Sequence, residues 1–294
     1  MQLQALSVGH CVDAGETGVA TVHSGVARAV NIEVRGDLWT LLGAERADLP
    51  FGIRVAAQDF GAFGLRRGDC VHVRSGFVGI ASYAARLVVD CRAAPRWIPK
   101  LPQGKPAPGL RNRLRMVAAA ASDRAWHGSD GMARAVVSAL DEPDALAEVL
   151  AKVVGRGPGS TPAGDDVLVG ILAVLASPQS GTPGARAVQS LCRPLLRLLP
   201  TTTDISGHLL RQAANGLFSR AVHELVCALI GDADLQQLRD TVQRVVETGA
   251  TSGADLCTGM LASAPLLLAH DGRAAFLTCD AKSALLTQDD RAAA

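Results

Sequence analysis

The apolar positions change their period once along the chain. Over roughly the first ninety residues they alternate with polar ones or run briefly. The segments are Val19–Val22, Ala29–Val34, Ile53–Ala57, Val71–Val73 and Leu87–Val89. That is strand spacing, because successive side chains on a strand face opposite ways. Gly36-Asp37 and Arg67-Gly68-Asp69 read as turns between strands. This half offers no chemical cluster; His72 and Gly79 read as core and turn residues.

Prolines at 95, 99, 102, 106 and 108 follow. Such density works against regular structure, so Arg92 to Pro108 reads as an extended connector. Beyond it the spacing turns helical over Leu110–Ala121, Met132–Leu140, Pro143–Val154, Gly164–Ala176, Ala185–Leu199, Asp204–Ile230, Leu235–Thr248 and Gly253–Ala269. Pro143 suits a first helical position, Gly155 and Gly249 read as stops, and Pro265 should kink or end the last helix. The expected fold class is α+β. A small β-rich domain (1–95) leads through a connector (96–108) into an α-rich domain (109–294). Without βαβ alternation, a doubly wound sheet is not expected.

Charge narrows the function classes. The 29 basic and 28 acidic residues nearly cancel, which removes the electrostatic case for nucleic acid or an anionic membrane as partner. The start, Met1 to Leu6, lacks the basic and apolar regions of a secretory signal. The apolar run Val167–Ala176 is too short to span a bilayer. Seven dispersed cysteines with no CxxC fit reduced thiols and a cytoplasmic protein. No metal site follows from the spacing of the seven histidines.

The most unusual stretch is Gly155-Arg156-Gly157-Pro158-Gly159-Ser160-Thr161-Pro162-Ala163-Gly164-Asp165-Asp166. Thr161-Pro162 reads as an N-cap and a first helical residue, which puts Asp165 and Asp166 in the first turn of an all-apolar, buried helix. Asp also favours a helix start for its dipole alone. Two adjacent carboxylates at the mouth of a buried helix, however, need partners. The loop has no following Lys and no GxGxxG spacing, so it is neither a Walker loop nor a dinucleotide fingerprint.

A second stretch, Gly249-Ala250-Thr251-Ser252-Gly253-Ala254-Asp255, echoes the first, and Asp255–Gly259 repeats the spacing of Asp166–Gly170. Ser252 with Asp255 also fits a capping box. The alternative is a distant internal repeat, and it predicts that the two turns converge on one polar pocket. Between them Thr201-Thr202-Thr203-Asp204 opens an expected long helix, with a stripe of His208, Gln212, Asn215, Ser219 and His223. His208 is the catalytic candidate of that stripe, although a helix–helix hydrogen-bond seam reads equally well.

Taken in order, the Gly-rich Ser-Thr-Pro-Ala-Gly-Asp-Asp element, the Thr-rich opening near 201 and Thr251-Ser252-Gly253 with Asp255 resemble the AllH family. Its members are similar to a subunit of bacterial oxamate carbamoyltransferase. The resemblance runs along most of the chain. It implies a subunit of a complex that interconverts oxalurate and phosphate with oxamate and carbamoyl phosphate, in allantoin and purine-nitrogen breakdown. It also implies other subunits as partners and a small-molecule substrate. Carried over residue by residue, it marks Gly157, Thr161, Gly164, Thr251, Ser252 and Asp255 for substrate binding and Asp165 and Asp166 for catalysis. The chain departs from the family pattern at Ser160, where Leu is usual, and at Ala163, where Ser is usual.

Independently, the chain lacks the Ser-x-Arg-Thr and His-Pro-x-Gln motifs of ordinary transcarbamoylases. Phosphate is therefore expected to be held by different machinery or by a partner. Helix N-termini suit an anion such as the oxamate carboxylate, and a nearby carboxylate suits an amide proton. Two other readings stay open at this point. One is a non-catalytic assembly or regulatory subunit of the same complex. The other is a stand-alone hydrolase whose Asp cluster holds Mg2+.

Overall fold

The computed structural model describes residues 1–15, 17–99, 108–177 and 183–267. These divide into two compact units, one holding the strands together with Phe218–Arg220, the other holding the remaining helical residues.

The first unit is a single sheet of nine strands among the described residues: β1 (Gln2–Gly9), β2 (Gly18–Val26), β3 (Ala29–Val34), β4 (Asp37–Leu42), β5 (Gly52–Val55), β6 (Cys70–Arg74), β7 (Phe77–Ala81), β8 (Arg86–Asp90) and β9 (Arg96–Trp97). Their order is β5-β4-β3-β2-β6-β7-β8-β1-β9. β1 closes the sheet on itself. Its start, Gln2–Gln4, runs parallel to β8, and from Ala5 to Val8 it runs antiparallel to β5, with a register shift between Ala5 and Ser7. Closure removes the open edges that would invite aggregation. Alternation sets the faces: Val71 and Val73 of β6 point inward beside Val30 and Ile32 of β3, while His72 and Arg74 stay exposed.

The expectation of a β-rich start followed by helices, class α+β, holds. Several details differ. β1, β4 and β7 carry no expectation from the sequence, and Arg96–Trp97, inside the expected connector, pairs with Val8 and Gly9 of β1. Residues 100–107 of that connector lie outside the described residues. His72 is exposed and Gly79 lies in a strand opposite it, so neither is a core or turn residue.

The second unit holds α1 (Leu110–Ala121), α2 (Ser129–Ser138), α3 (Pro143–Val153), α4 (Ala163–Leu175), α5 (Pro183–Leu198), α6 (Asp204–Ala214), α7 (Arg220–Ile230) from Ala221 onward, α8 (Leu235–Val246) and α9 (Ser252–Ser263). α4 is its axis. Twelve of its thirteen residues are buried, as a helix apolar all round requires. α8 shows the complementary case: Leu238, Thr241, Val242, Val245 and Val246 form one buried stripe at helical spacing. The helix expected over Asp204–Ile230 is broken into α6 and α7. Gly216, at φ +73, takes a left-handed conformation that ends α6. α9 ends at Ser263 and a 3-10 turn over Ala264–Leu267 follows, as Pro265 foretold; residues 268 and 269 lie outside the described set. Among the described residues no helix is long and apolar enough to cross a membrane.

Candidate active site

The site grows from the way α4 and α9 cross. A methyl built on Gly170 would stand 2.0 Å from the Leu256 carbonyl oxygen and 3.1 Å from the Met260 nitrogen. One built on Gly259 would stand 2.0 Å from the Val167 oxygen and 3.1 Å from the Ile171 nitrogen. Each contact is the other with the helices exchanged. Only glycine permits such backbone approach.

The relationship continues upward. A methyl on Gly164 would collide with Val153 of α3 at 2.0 Å, and one on Gly253 with Val245 of α8 at 1.8 Å. In both halves, then, a helix runs into a left-handed glycine stop, Gly155 or Gly249, and the chain turns into the next helix against the one it has left. The shared spacing of the two sequence stretches reflects a local two-fold repeat.

The repeat brings the two turns together. Thr161 Oγ1 and Ser252 Oγ share a hydrogen bond of 2.9 Å. Neither hydroxyl caps its helix. Pro162, not Thr161, is the N-cap of α4, so the Thr-Pro cap expected there is corrected. Thr251 is the N-cap of α9 without a side-chain bond. Asp255 does not close a capping box either, because its Oδ1 is taken elsewhere, by the Trp126 amide at 2.7 Å and the Ser129 hydroxyl at 2.6 Å.

The three carboxylates are all buried but unequally served. Asp165 is satisfied. Its Oδ1 accepts the Gly155 amide at 2.8 Å, and its Oδ2 accepts the Ser206 hydroxyl at 2.7 Å and the Thr202 hydroxyl. Thr203 adds a further tie from the start of α6, donating to the Ser160 carbonyl at 2.6 Å. Asp166 Oδ2 and Asp255 Oδ2 are buried with no hydrogen-bond partner. Burial is the main cause that pushes the Asp166 carboxyl up to about 8; the charges of Asp255 and Asp165 add to it, while the Ser252 and Thr161 hydroxyls oppose it. At neutral pH Asp166 is therefore mostly a neutral acid.

A family model described as oxamate carbamoyltransferase subunit AllH matches residues 153–264. A second, described as the AllH family N-terminal domain, matches residues 4–96. The chain belongs to the AllH family. No solved structure matches it.

The first AllH match begins at the end of α3 and reaches past α9, so it spans both turns of the repeat. Of the residues marked from the sequence, Asp165, Asp166, Thr161, Ser252 and Asp255 gather at these turns. Gly157 and Gly164 stand there too, but they face the chain's own backbone: a methyl on Gly157 would meet the Ala163 nitrogen at 2.7 Å. His208 is buried on α6. The polar stripe it headed is broken: His208 and Gln212 lie on α6, Asn215 and Ser219 between the two helices, and His223 on α7, where it lines an open depression of about 420 Å³ between α7 and α8 with Glu224, Cys227 and Arg244. Among the described residues no three His, Cys, Asp or Glu side chains gather as a metal-ligand set. Thr202, Ser206, Trp126 and Ser129 were not marked from the sequence. The Thr-rich run pointed to the first; nothing local pointed to the last two.

Proposed function

We propose that this chain is the oxamate-binding subunit of a cytoplasmic oxamate carbamoyltransferase, working with other subunits in purine-nitrogen breakdown. The observation that carries the reading is the orphaned, buried Oδ2 of Asp166, a neutral acid beside two bridged hydroxyls.

In oxalurate phosphorolysis, phosphate attacks the ureido carbon. A C–O bond forms, the C–N bond to oxamate breaks, and the leaving nitrogen must gain a proton. Asp166 donates it, giving oxamate and carbamoyl phosphate. In the reverse direction the Asp166 carboxylate takes the proton from the oxamate amide as its nitrogen attacks. A group with a pKa near the working pH serves both directions. The Thr161 and Ser252 hydroxyls hold the amide end of the ligand, and the helix starts at Ala163 and Ser252 favour its carboxylate. Gly157 and Gly164 shape the turn by letting backbones approach. Asp165 fixes the turn through its three donors rather than meeting the ligand. Phosphate binding falls to a partner subunit.

The stand-alone metal hydrolase is the weaker reading. Asp165 and Oδ1 of Asp255 are already engaged by donors, and a protonated Asp166 is a poor cation ligand. The test is oxalurate phosphorolysis by the complex purified from its host. Asp166→Asn in an intact complex should lower kcat by about 10²-fold or more, as loss of a general acid does. Full activity in that variant would leave this chain an assembly subunit.

A further inference from the structure

We infer that the start of α1 is an oxyanion-binding site centred on Arg113, whose buried guanidinium keeps one edge open for a phosphate or a carboxylate group. The inference is independent of the functional reading above.

Arg113 belongs to the buried stripe of α1, with Leu110, Leu114, Val117 and Ala121, and it is 8% exposed. A cation buried in an apolar stripe and left uncompensated is strongly destabilising. Among the described residues its one hydrogen bond runs from Nη1 to the Pro108 carbonyl at 3.1 Å. A carbonyl accepts a proton but does not neutralise a charge. No carboxylate of the described residues stands in ion-pair range of Arg113.

The charges on the helices packed against α1 are spent elsewhere. α1 meets α8 and α9. On α8, the N-cap Asp234 accepts the Gln237 amide at 2.8 Å, Asp240 accepts from Gln236 at 2.9 Å, and Arg244 pairs with Glu224 at 3.0 Å. Arg239 and the C-cap Glu247 are exposed. On α9 the one acid, Asp255, accepts from Trp126 and Ser129.

The bond to Pro108 fixes the direction of the guanidinium. Pro108 precedes the N-cap Gly109, so the side chain turns back to the mouth of its own helix. With Nη1 held there, the edge formed by Nε and Nη2 is left over. Neither atom is among those sealed from the surface without a partner, so that edge is open. Its two parallel N–H groups match two oxygens of a carboxylate or a phosphate. The helix start has the same preference. No side chain caps it, its first turn holds no acidic residue, and Arg111 and Arg115 are the other charged residues of α1. The dipole and the backbone N–H groups at such an end favour an anion.

The twelve residues of α1 span about 18 Å. The far end of the helix leads to Trp126, whose amide meets Asp255. The oxyanion site is therefore separate from the turns that hold Asp166.

The experiment is thermal unfolding of the full chain at constant ionic strength set with sodium chloride, with added inorganic phosphate and, separately, acetate. At saturation at least one should raise the unfolding midpoint by about 2 °C or more. A rise with phosphate alone makes the occupant a phosphate group; an equal rise with acetate makes it a carboxylate. Arg113→Met, similar in length and uncharged, should lose the rise, and Arg113→Lys, which keeps the charge without the fork, should keep a smaller one. Asp166→Asn should respond as the wild type does. If Arg113 merely ties down the Pro108 carbonyl, Arg113→Met responds to the anions as fully as the wild type, and that result overturns the inference. No rise in the wild type with either anion overturns it too. Should Arg113→Met not fold, nitrogen NMR of the Arg113 Nε–H in the wild-type chain decides: a signal that moves with phosphate or acetate supports the site, and an unmoved one overturns it.

Discussion

Thr161 and Ser252, 91 positions apart in the sequence, join their hydroxyls at 2.9 Å and so tie the two helix starts of the site together. Both hydroxyls also hold the Asp166 carboxyl down, Ser252 more than Thr161. Ser252→Ala should therefore raise the Asp166 midpoint above its wild-type value and weaken oxamate binding about tenfold, the worth of one hydrogen bond to a polar ligand. Thr161→Val should do the same to a smaller degree. Calorimetric titration with oxamate checks the affinity. Unchanged binding in both variants would remove these hydroxyls from the site.

The raised Asp166 carboxyl has a signature in stability. Its folded value, about 8, lies above the ordinary 3.8. Between those two values the folded chain keeps a proton that the unfolded chain has lost. Stability is then fully present below about pH 4 and is lost as pH rises towards 8, by about 1.4 kcal/mol for each pH unit from this group. Asp166→Asn has no proton to lose, so its urea midpoint should match the wild type near pH 4 and exceed it increasingly towards pH 8. Parallel pH profiles for the two proteins would count against a buried neutral Asp166.

What the sequence disclosed follows from how local each signal is. α4 was readable because a fully buried helix is apolar all round, and β3 because Val30 and Ile32 alternate with polar neighbours. The Asp166–Gly170 and Asp255–Gly259 spacings carried the repeat, since each glycine answers one backbone contact. β4 was hidden because Leu38, Trp39, Leu41 and Leu42 are all buried and leave no alternation. The partners of Asp255 were hidden for another reason. Trp126 and Ser129 lie 129 and 126 positions away, and a backbone amide and a common serine carry no local mark. Asp165 and Asp166 looked alike in the sequence; only the donors from Gly155, Thr202 and Ser206 separate them.

That separation predicts opposite outcomes for neighbouring substitutions. Asp165→Ala strands the Gly155 amide and the Thr202 and Ser206 hydroxyls and should cost about 3 kcal/mol or more, since each buried donor left unpaired is expensive. Asp166→Asn should be neutral or stabilising above pH 4, as argued above. Urea unfolding of both variants at pH 7 checks the contrast. Equal losses would mean that the two carboxylates do the same work.

Gly170→Ala and Gly259→Ala each place a methyl about 2 Å from a carbonyl oxygen of the facing helix. Neither helix can relieve the clash by a side-chain rotation, because the atom struck is backbone. Each should cost about 3 kcal/mol or more, at the upper end of overpacking penalties, and the two costs should be alike because the contacts are reciprocal. A mild loss in one and a severe loss in the other would break the two-fold relationship.

The asymmetry within the repeat gives the sharpest stability test, because it asks for a gain. Ala163 stands where Ser252 stands in the other half, and it is 1% exposed. Ser252 meets Asp166, so a serine at 163 should meet Asp255, whose Oδ2 has no partner. Most polar substitutions in a buried place destabilise, since the new hydroxyl must find a partner or lose its hydration. Here the partner is already present and itself unsatisfied. Ala163→Ser should raise stability by about 1 kcal/mol, the net gain of one buried hydrogen bond. The same change at Ala173, buried in the middle of α4, provides the control and should destabilise. A loss at both positions would show that the orphaned oxygen of Asp255 does not face residue 163.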